Sequence, residues 1–368
     1  MFALVLAGAV LVVLLAMSGW FSGRRVRWAG LWAGLWLVLD LARANVPWII
    51  HYDWRERYAS NPVFDILRAA PHTGRVTGQL GFQAGGQAGQ LQQALSQVYG
   101  VEWLQYQFRY YDIQSLDIVQ MPRTPADFAA YKQALSGNPV REWELSNTRW
   151  MLSLAPFVDP MNQQLDPGGK RFRLHTGFNL TQTPQGLFRV ETNASGPFGL
   201  IEFTGALPRA MLVDRWRSAL PDPEVLGRLA AADFNPRTEV LVSEQIPAPS
   251  VDTATQPAGV AEYREYSPKR FVIATEARTP CVLLVNDRYD PNWKVFVGGK
   301  EEPLLRVNYI ARGVYLPPGS HQVEFRFEPE AGWLAVSWGG LALTGLLACF
   351  GAVERPNSPE LFVECSVD

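Results

Sequence analysis

Asn286, Asp287, Asp290 and Asn292 place four side-chain oxygen groups within seven residues. Hard cations such as Ca²⁺ are bound by oxygens of this kind, and Asp287 with Asp290 would supply the negative charge. The spacing is not that of an EF-hand and no glutamate closes the set. A hydrogen-bonded turn between two strands is the reading that the spacing favours over a Ca²⁺ site at Asp287 and Asp290. A little further on, Trp293, Tyr309, Arg312 and His321 could form a mixed aromatic and polar face for a sugar ring. A tryptophan in a strand serves a sandwich core equally well. Arg75 and Arg209 are candidate phosphate ligands, because a guanidinium matches an oxyanion with parallel N–H groups. Structural ion pairs are the competing use.

Other reactive chemistry finds little support. The four histidines, His51, His72, His175 and His321, do not stand at metal-ligand spacing. Cys281, Cys349 and Cys365 lie in different kinds of segment, which excludes a disulfide scaffold or a thiolate zinc site. Cys281, beside the apolar run 282–285, reads as a buried strand residue. The glycine-rich stretch GFQAGGQAG at 81–89 lacks both the GxGxxG register and a Walker lysine, so it reads as a turn. No GxSxG nucleophile elbow occurs. The sequence therefore assigns no catalytic residue, no metal ligand and no cofactor. A formal net charge of −2 gives no basic footprint for nucleic acid.

The elements that would position these residues are of two kinds. Charged residues make up 18% of the chain, against about 25% in soluble domains. The deficit sits in three apolar blocks, at 2–17, 28–39 and 331–350. They predict about three transmembrane helices, the second drawing Asp40 and Arg43 into its outer turns, where residues three apart can pair. Gly30 and Gly34 form a GxxxG pattern that permits close helix packing in lipid. Arg24, Arg25 and Arg27 place the short loop between the first two blocks in the cytoplasm. The predicted location is then the cell membrane, multi-pass, with the large domain on the extracytoplasmic face. The predicted division is two membrane helices over 1–44, an α+β subdomain over 45–166, a β-sandwich over 167–330, a membrane helix over 331–351 and a tail over 352–368.

Within the outer region, Asn61-Pro62 marks a turn ahead of a short helix holding Phe64, Ile66 and Leu67. A helix over 91–99, a helix opening near Asp127, and strands at 75–76 and 150–152 complete an α+β mixture. Beyond Pro167 short strands alternate with turn residues, interrupted by a helix at 223–231. The last six predicted strands, 261–266, 270–275, 282–286, 293–297, 314–316 and 323–327, argue a jelly-roll-like sandwich.

The end of that region is also familiar as a pattern. Asp287, Pro291, Trp293, Gly299, Asn308, Arg312, Pro317, Gly319, His321 and Phe325 fall on a "D-x-x-x-P-x-W … D-G … N … R-x-V … P-x-G-x-H-x-V-x-F" signature. This closely resembles the last outer strands of the YfhO-type family of multi-pass bacterial membrane proteins. The usual Asp-Gly is Gly298-Gly299 here. ALPRA at 206–210, Leu145 to Trp150, and Leu39-Asp40-Leu41 resemble earlier family segments, so the likeness runs over about 37–350 and is specific only after Cys281. The resemblance implies a glycosyltransferase of the C-type membrane fold, using polyprenyl-phosphate-linked sugars on cell-envelope polymers. The catalytic loop of such folds has no counterpart here. The resemblance thus implies a C-terminal module, lacking catalysis, whose partners are the bilayer, further membrane helices of the same protein, and a lipid-linked sugar or envelope glycan. Its glycan-binding candidates are Asp287, Tyr289, Trp293, Asn308, Arg312 and His321. The alternative is a complete, non-catalytic, membrane-tethered protein that binds carbohydrate or a partner.

Overall fold

A computed structural model describes the chain except residues 1, 50, 52, 71, 79–84, 119–122, 185, 250–257 and 354–368. It divides into two compact units, Met1–Ala59 and Ser60–Asp368.

The first unit is built on two helices, Phe2–Met17 and Val26–Asn45. A Cβ added at Gly8 would meet the Trp36 ring at 2.1 Å, so these helices approach there. At Gly30 and Gly34 an added Cβ would meet nothing within 4 Å, so the GxxxG pair makes no close contact among the described residues. Arg43 donates to Asp40 at 3.2 Å, as residues one helical turn apart can.

The expectation of about three transmembrane helices is overturned. Among the described residues, no helix is long and apolar enough to cross a membrane. Phe2–Met17 has 16 residues, and at 1.5 Å each it falls short of a hydrocarbon core of about 30 Å. Val26–Asn45 carries Arg27, Asp40 and Arg43 in its sequence. In the helix Gly332–Val353, described side chains end at Leu347. The fold class is α+β, without the spanning helices that the apolar blocks predicted.

The second unit begins with a five-stranded sheet of β1 (Arg75–Thr77), β2 (Thr148–Leu154), β3 (Phe172–Gln182), β4 (Phe188–Thr192) and β5 (Phe198–Phe203). Its order is β1-β2-β5-β3-β4, with only β1–β2 parallel among these pairs. Side chains two apart on a strand share a face. Trp150, Leu152, Leu154, Phe198 and Leu200 therefore face one core, while Met151, Ile201 and Phe203 face another. Over the first face lie the helix Pro62–Ala69, capped by the Asn61 side chain, and the helix Gly86–Gln97 with its π-helical continuation Val98–Gln107. Phe64 and Trp103 meet there edge to face, 5.2 Å between centroids. The boundary expected at 166/167 falls inside this sheet, because β3 and β5 come from beyond it and β5 pairs with β2.

Eleven strands follow: β6 (Ala210–Val213), β7 (Trp216–Ser218), β8 (Val240–Val242), β9 (Gly259–Ser267), β10 (Arg270–Ala277), β11 (Cys281–Arg288), β12 (Trp293–Val297), β13 (Lys300–Glu302), β14 (Leu305–Val307), β15 (Ala311–Leu316) and β16 (Gly319–Phe327). One sheet has the order β13-β12-β16-β10-β9 and the other β6-β11-β15-β14-β8-β7. Their facing sides share one core, with Phe271, Ile273, Val323 and Phe325 against Leu283, Val285, Val314 and Leu316. The six-stranded sheet is covered on its far side as well. This explains why β11 is buried from Cys281 to Asp287 and reads as an unbroken apolar run rather than an alternation. The β12–β13 hairpin turns on Gly298 and Gly299, at φ +58 and +87. Two consecutive positive φ angles are those of a type I′ turn, so Gly-Gly meets the same backbone demand as the Asp-Gly of the signature.

Candidate functional site

Strand alternation carries Arg312 onto the inner face of the sandwich, since it pairs with Val285 of β11 and precedes Val314 and Leu316 on β15. Asp287 lies in the irregular stretch of β11 between Val285 and Arg288 and is buried there. Arg209 stands immediately before β6, and Arg75 opens β1 in the other sheet. Arg75 Nη2 donates to Asp287 Oδ1 at 2.6 Å, and Arg209 Nη2 donates to Oδ1 and Oδ2 at 2.9 and 3.1 Å. Arg75 also donates to the carbonyls of Ser146 and Asn286. One carboxylate thus ties the first sheet to the sandwich.

A ring of polar and aromatic groups surrounds this pair of ion bridges. Arg209 donates to Tyr266 Oη at 2.8 Å and to Gln114 Oε1. Gln114 in turn donates to Tyr266. His72 stacks on the Tyr266 ring at 3.8 Å. The Arg312 guanidinium lies 4.1 Å above the Trp293 ring and near that of Phe271, a cation–π arrangement. Burial alone would raise the Asp287 carboxyl, but the charges of Arg209, Arg75 and Arg312 hold it below its ordinary value. Burial, then the Arg209 charge, pushes the His72 imidazole down. Burial pushes the Cys281 thiol up to about 12, with the nearby Asp214 charge adding to it. A thiol so far from thiolate is inert at neutral pH.

A second feature lies open to solvent. A groove of about 780 Å³ is lined by Asp127, Asp222, Arg288, Tyr289, Asp290, Arg306 and Tyr309, with Ala126 and Pro291. Asp127 stands in the first turn of the helix Ala126–Leu135, and Asp222 opens the helix Asp222–Ala230. Each acid is held by an arginine of the sandwich. Arg288 donates to both Asp127 oxygens at 2.9 and 3.0 Å, and Arg306 reaches Asp222 at 3.2 Å. Arg306 also covers the Tyr309 ring at 4.3 Å. Tyr309 has φ +69, an uncommon backbone for a bulky residue, and Asn308 beside it has φ +49. Strain of this kind persists where surrounding bonds impose it. Here Asn308 exchanges bonds with the Leu241 backbone, N to O at 2.7 Å and Oδ1 from N at 3.0 Å.

The glycan-binding candidates therefore do not share one face. Asp287 and Arg312 are buried in the ion cluster, with Trp293 stacked under Arg312. Tyr289 lines the groove, Asn308 supports the backbone next to it, and His321 bonds the Pro317 carbonyl at the start of β16. The phosphate candidates Arg75 and Arg209 both converge on Asp287. Asp290 accepts from the Asn292 backbone and side chain, closing the turn into β12, so Asp287 and Asp290 serve separate partners. Among the described residues, no three or more His, Cys, Asp or Glu side chains gather as a metal site. Sequence reasoning did not single out His72, Gln114, Tyr263 or Tyr266 in the cluster, nor Asp222, Arg288 and Arg306 in the groove. No short-range spacing links them. Comparison with family models, curated proteins and solved structures found no match to this chain.

Proposed function

We propose that this chain is a glycan-binding module serving a YfhO-type glycosyltransferase that acts on cell-envelope glycans with polyprenyl-phosphate-linked sugars, and that catalysis lies outside it. The observation that carries this reading is the open groove. It sets the Tyr289 side chain among two guanidinium–carboxylate pairs, beside a tyrosine held at a strained backbone angle. A sugar presents apolar C–H faces and a rim of hydroxyls. An aromatic ring flanked by fixed charged donors and acceptors complements both, as small-molecule sites combine apolar walls with a few placed polar groups. The signature after Cys281 supports the family side of the reading. Asp287, Trp293 and Arg312, together with Arg209 of the ALPRA segment, are far apart in sequence yet gather in one cluster.

The test is calorimetric titration of the purified chain with oligosaccharides of envelope glycans. Binding is expected, with Tyr289→Ala weakening it about tenfold, the equivalent of about 1.4 kcal/mol. Absence of binding across the series, or full affinity in the variant, would remove the groove from consideration. Glycosyl transfer by this chain alone from polyprenyl-phosphate-linked sugars would contradict the placing of catalysis elsewhere.

A further inference from the structure

The ion cluster at the inner end of the sandwich does not balance its charge. Arg75 and Arg209 share the single carboxylate of Asp287, and Arg312 has no carboxylate partner among the described residues. Arg312 is 5% exposed and Arg209 likewise 5%. Among the described residues, four buried donor atoms here have no hydrogen-bond partner: Nε and Nη1 of Arg312, Nε of Arg209 and the Tyr263 hydroxyl; the Asn286 Oδ1 acceptor beside Asp287 is unpaired as well. Tyr263 belongs here, since the Arg209 guanidinium lies 6.0 Å from the centre of its ring. Nearly all buried polar groups in folded proteins are satisfied, and an orphaned one calls for an explanation such as an ion or water. A guanidinium has no escape by losing its proton. The Trp293 and Phe271 rings offer partial compensation from one face but accept no N–H in the guanidinium plane.

We infer that the inner end of the sandwich bounded by Arg209, Arg312 and Tyr263 is a binding site for a small inorganic anion, the class to which phosphate and the halides belong. The anion accepts from Arg312 and from the Tyr263 hydroxyl, all three types of donor atom in the set being free to give a proton-bearing edge to it. It offsets guanidinium charge that the single carboxylate of Asp287 leaves unbalanced. Entry does not require unfolding of the sandwich, because the side chains of Arg75 and Asp287 keep 16% and 10% of their exposure, so the cluster touches solvent at one rim. This site is separate from the groove, so glycan binding and anion binding can fail independently.

The experiment is thermal unfolding of the full chain at fixed ionic strength, exchanging methanesulfonate for phosphate. A ligand that binds only the folded state raises Tm with its concentration, by about 5 °C at a hundredfold excess over Kd for a unit of this size. That rise is expected in the native chain and in Arg326→Met, a surface control on β16. It should vanish in Arg312→Met, which keeps the apolar stem over Trp293 and removes the charge. No rise beyond methanesulfonate, or an undiminished rise in Arg312→Met, overturns the site. Should Arg312→Met fail to fold, crystals of the native chain soaked in bromide decide the matter. An anomalous peak within hydrogen-bond reach of Arg312 supports the inference, and only water or a protein carboxylate in that place refutes it.

Discussion

Asp287 accepts from two guanidiniums at once, and its worth to the fold follows from what its removal would leave. Arg75 and Arg209 would then be buried cations without a counter-charge. Breaking one side of such a buried pair costs about 3–5 kcal/mol. Asp287→Asn is therefore expected to lower the unfolding free energy by about that amount in urea titration, with the loss concentrated in the midpoint rather than the slope. The pH dependence has a defined sign. The folded carboxyl lies below its ordinary value of 3.8. Its stabilisation is thus fully present above that value and is lost as pH falls through the lower folded value. Acid titration of stability should be shallower in Asp287→Asn than in the native chain. His72 acts at higher pH. Its imidazole is held below 6.5 by burial and by Arg209, so the unfolded chain takes up the proton first and stability declines as pH drops past 6.5. His72→Gln should flatten that part of the curve, and an unchanged slope would dismiss the histidine as a contributor.

At the scale of elements, the β12–β13 hairpin is set by two consecutive glycines at positive φ. Gly298 and Gly299 sit at φ +58 and +87, and a Cβ added at either meets nothing within 4 Å. Space is therefore not the constraint; backbone conformation is. Asparagine and aspartate tolerate the left-handed region better than other side-chain-bearing residues. Gly298→Asp, which restores the Asp-Gly of the signature, is expected to change stability by less than about 0.5 kcal/mol. Gly299→Val should cost at least about 1 kcal/mol, because a β-branched side chain resists positive φ. Chemical denaturation of the two variants side by side checks the asymmetry. The helical layer over the first sheet makes a different demand. Phe64 is fully buried and meets Trp103, Phe108 and Tyr111. Phe64→Ala should cost about 3–5 kcal/mol, the range for opening an aromatic-sized cavity.

For the second unit as a whole, the order β1-β2-β5-β3-β4 makes the first sheet discontinuous in sequence. Its central strand, β5, lies beyond Gly196, while its partner β2 ends at Leu154. A piece cut at residue 166 would lose β3, β4 and β5 and expose the apolar faces of Trp150, Met151 and Leu152. Such a piece, residues 60–166, is expected to show no cooperative thermal transition by circular dichroism. A sharp transition would mean that the two parts fold independently after all. The same logic applies across the ion cluster. Arg75 and Gln114 precede the cut, whereas Arg209, Tyr266 and Asp287 follow it.

Local pattern alone determined much of this chain. Short runs at regular spacing between turn residues located β9–β12, β15 and β16, and Asn61-Pro62, read as a turn, is where the structure starts a helix at Pro62 with the Asn61 side chain as its cap. Each of those signals acts between residues close in sequence. The apolar blocks misled, because a run of apolar residues reports composition, whereas a membrane span also needs sufficient length and few charges. The short strands β7, β8, β13 and β14 had no periodic signal, being three residues each and defined by their neighbours. Above all, only the tertiary structure decided which charges meet. Arg75 and Asp287 are separated by 212 residues, and Arg288 and Asp127 by 161. Electrostatic attraction depends on distance through space, and chain folding, not sequence spacing, sets that distance.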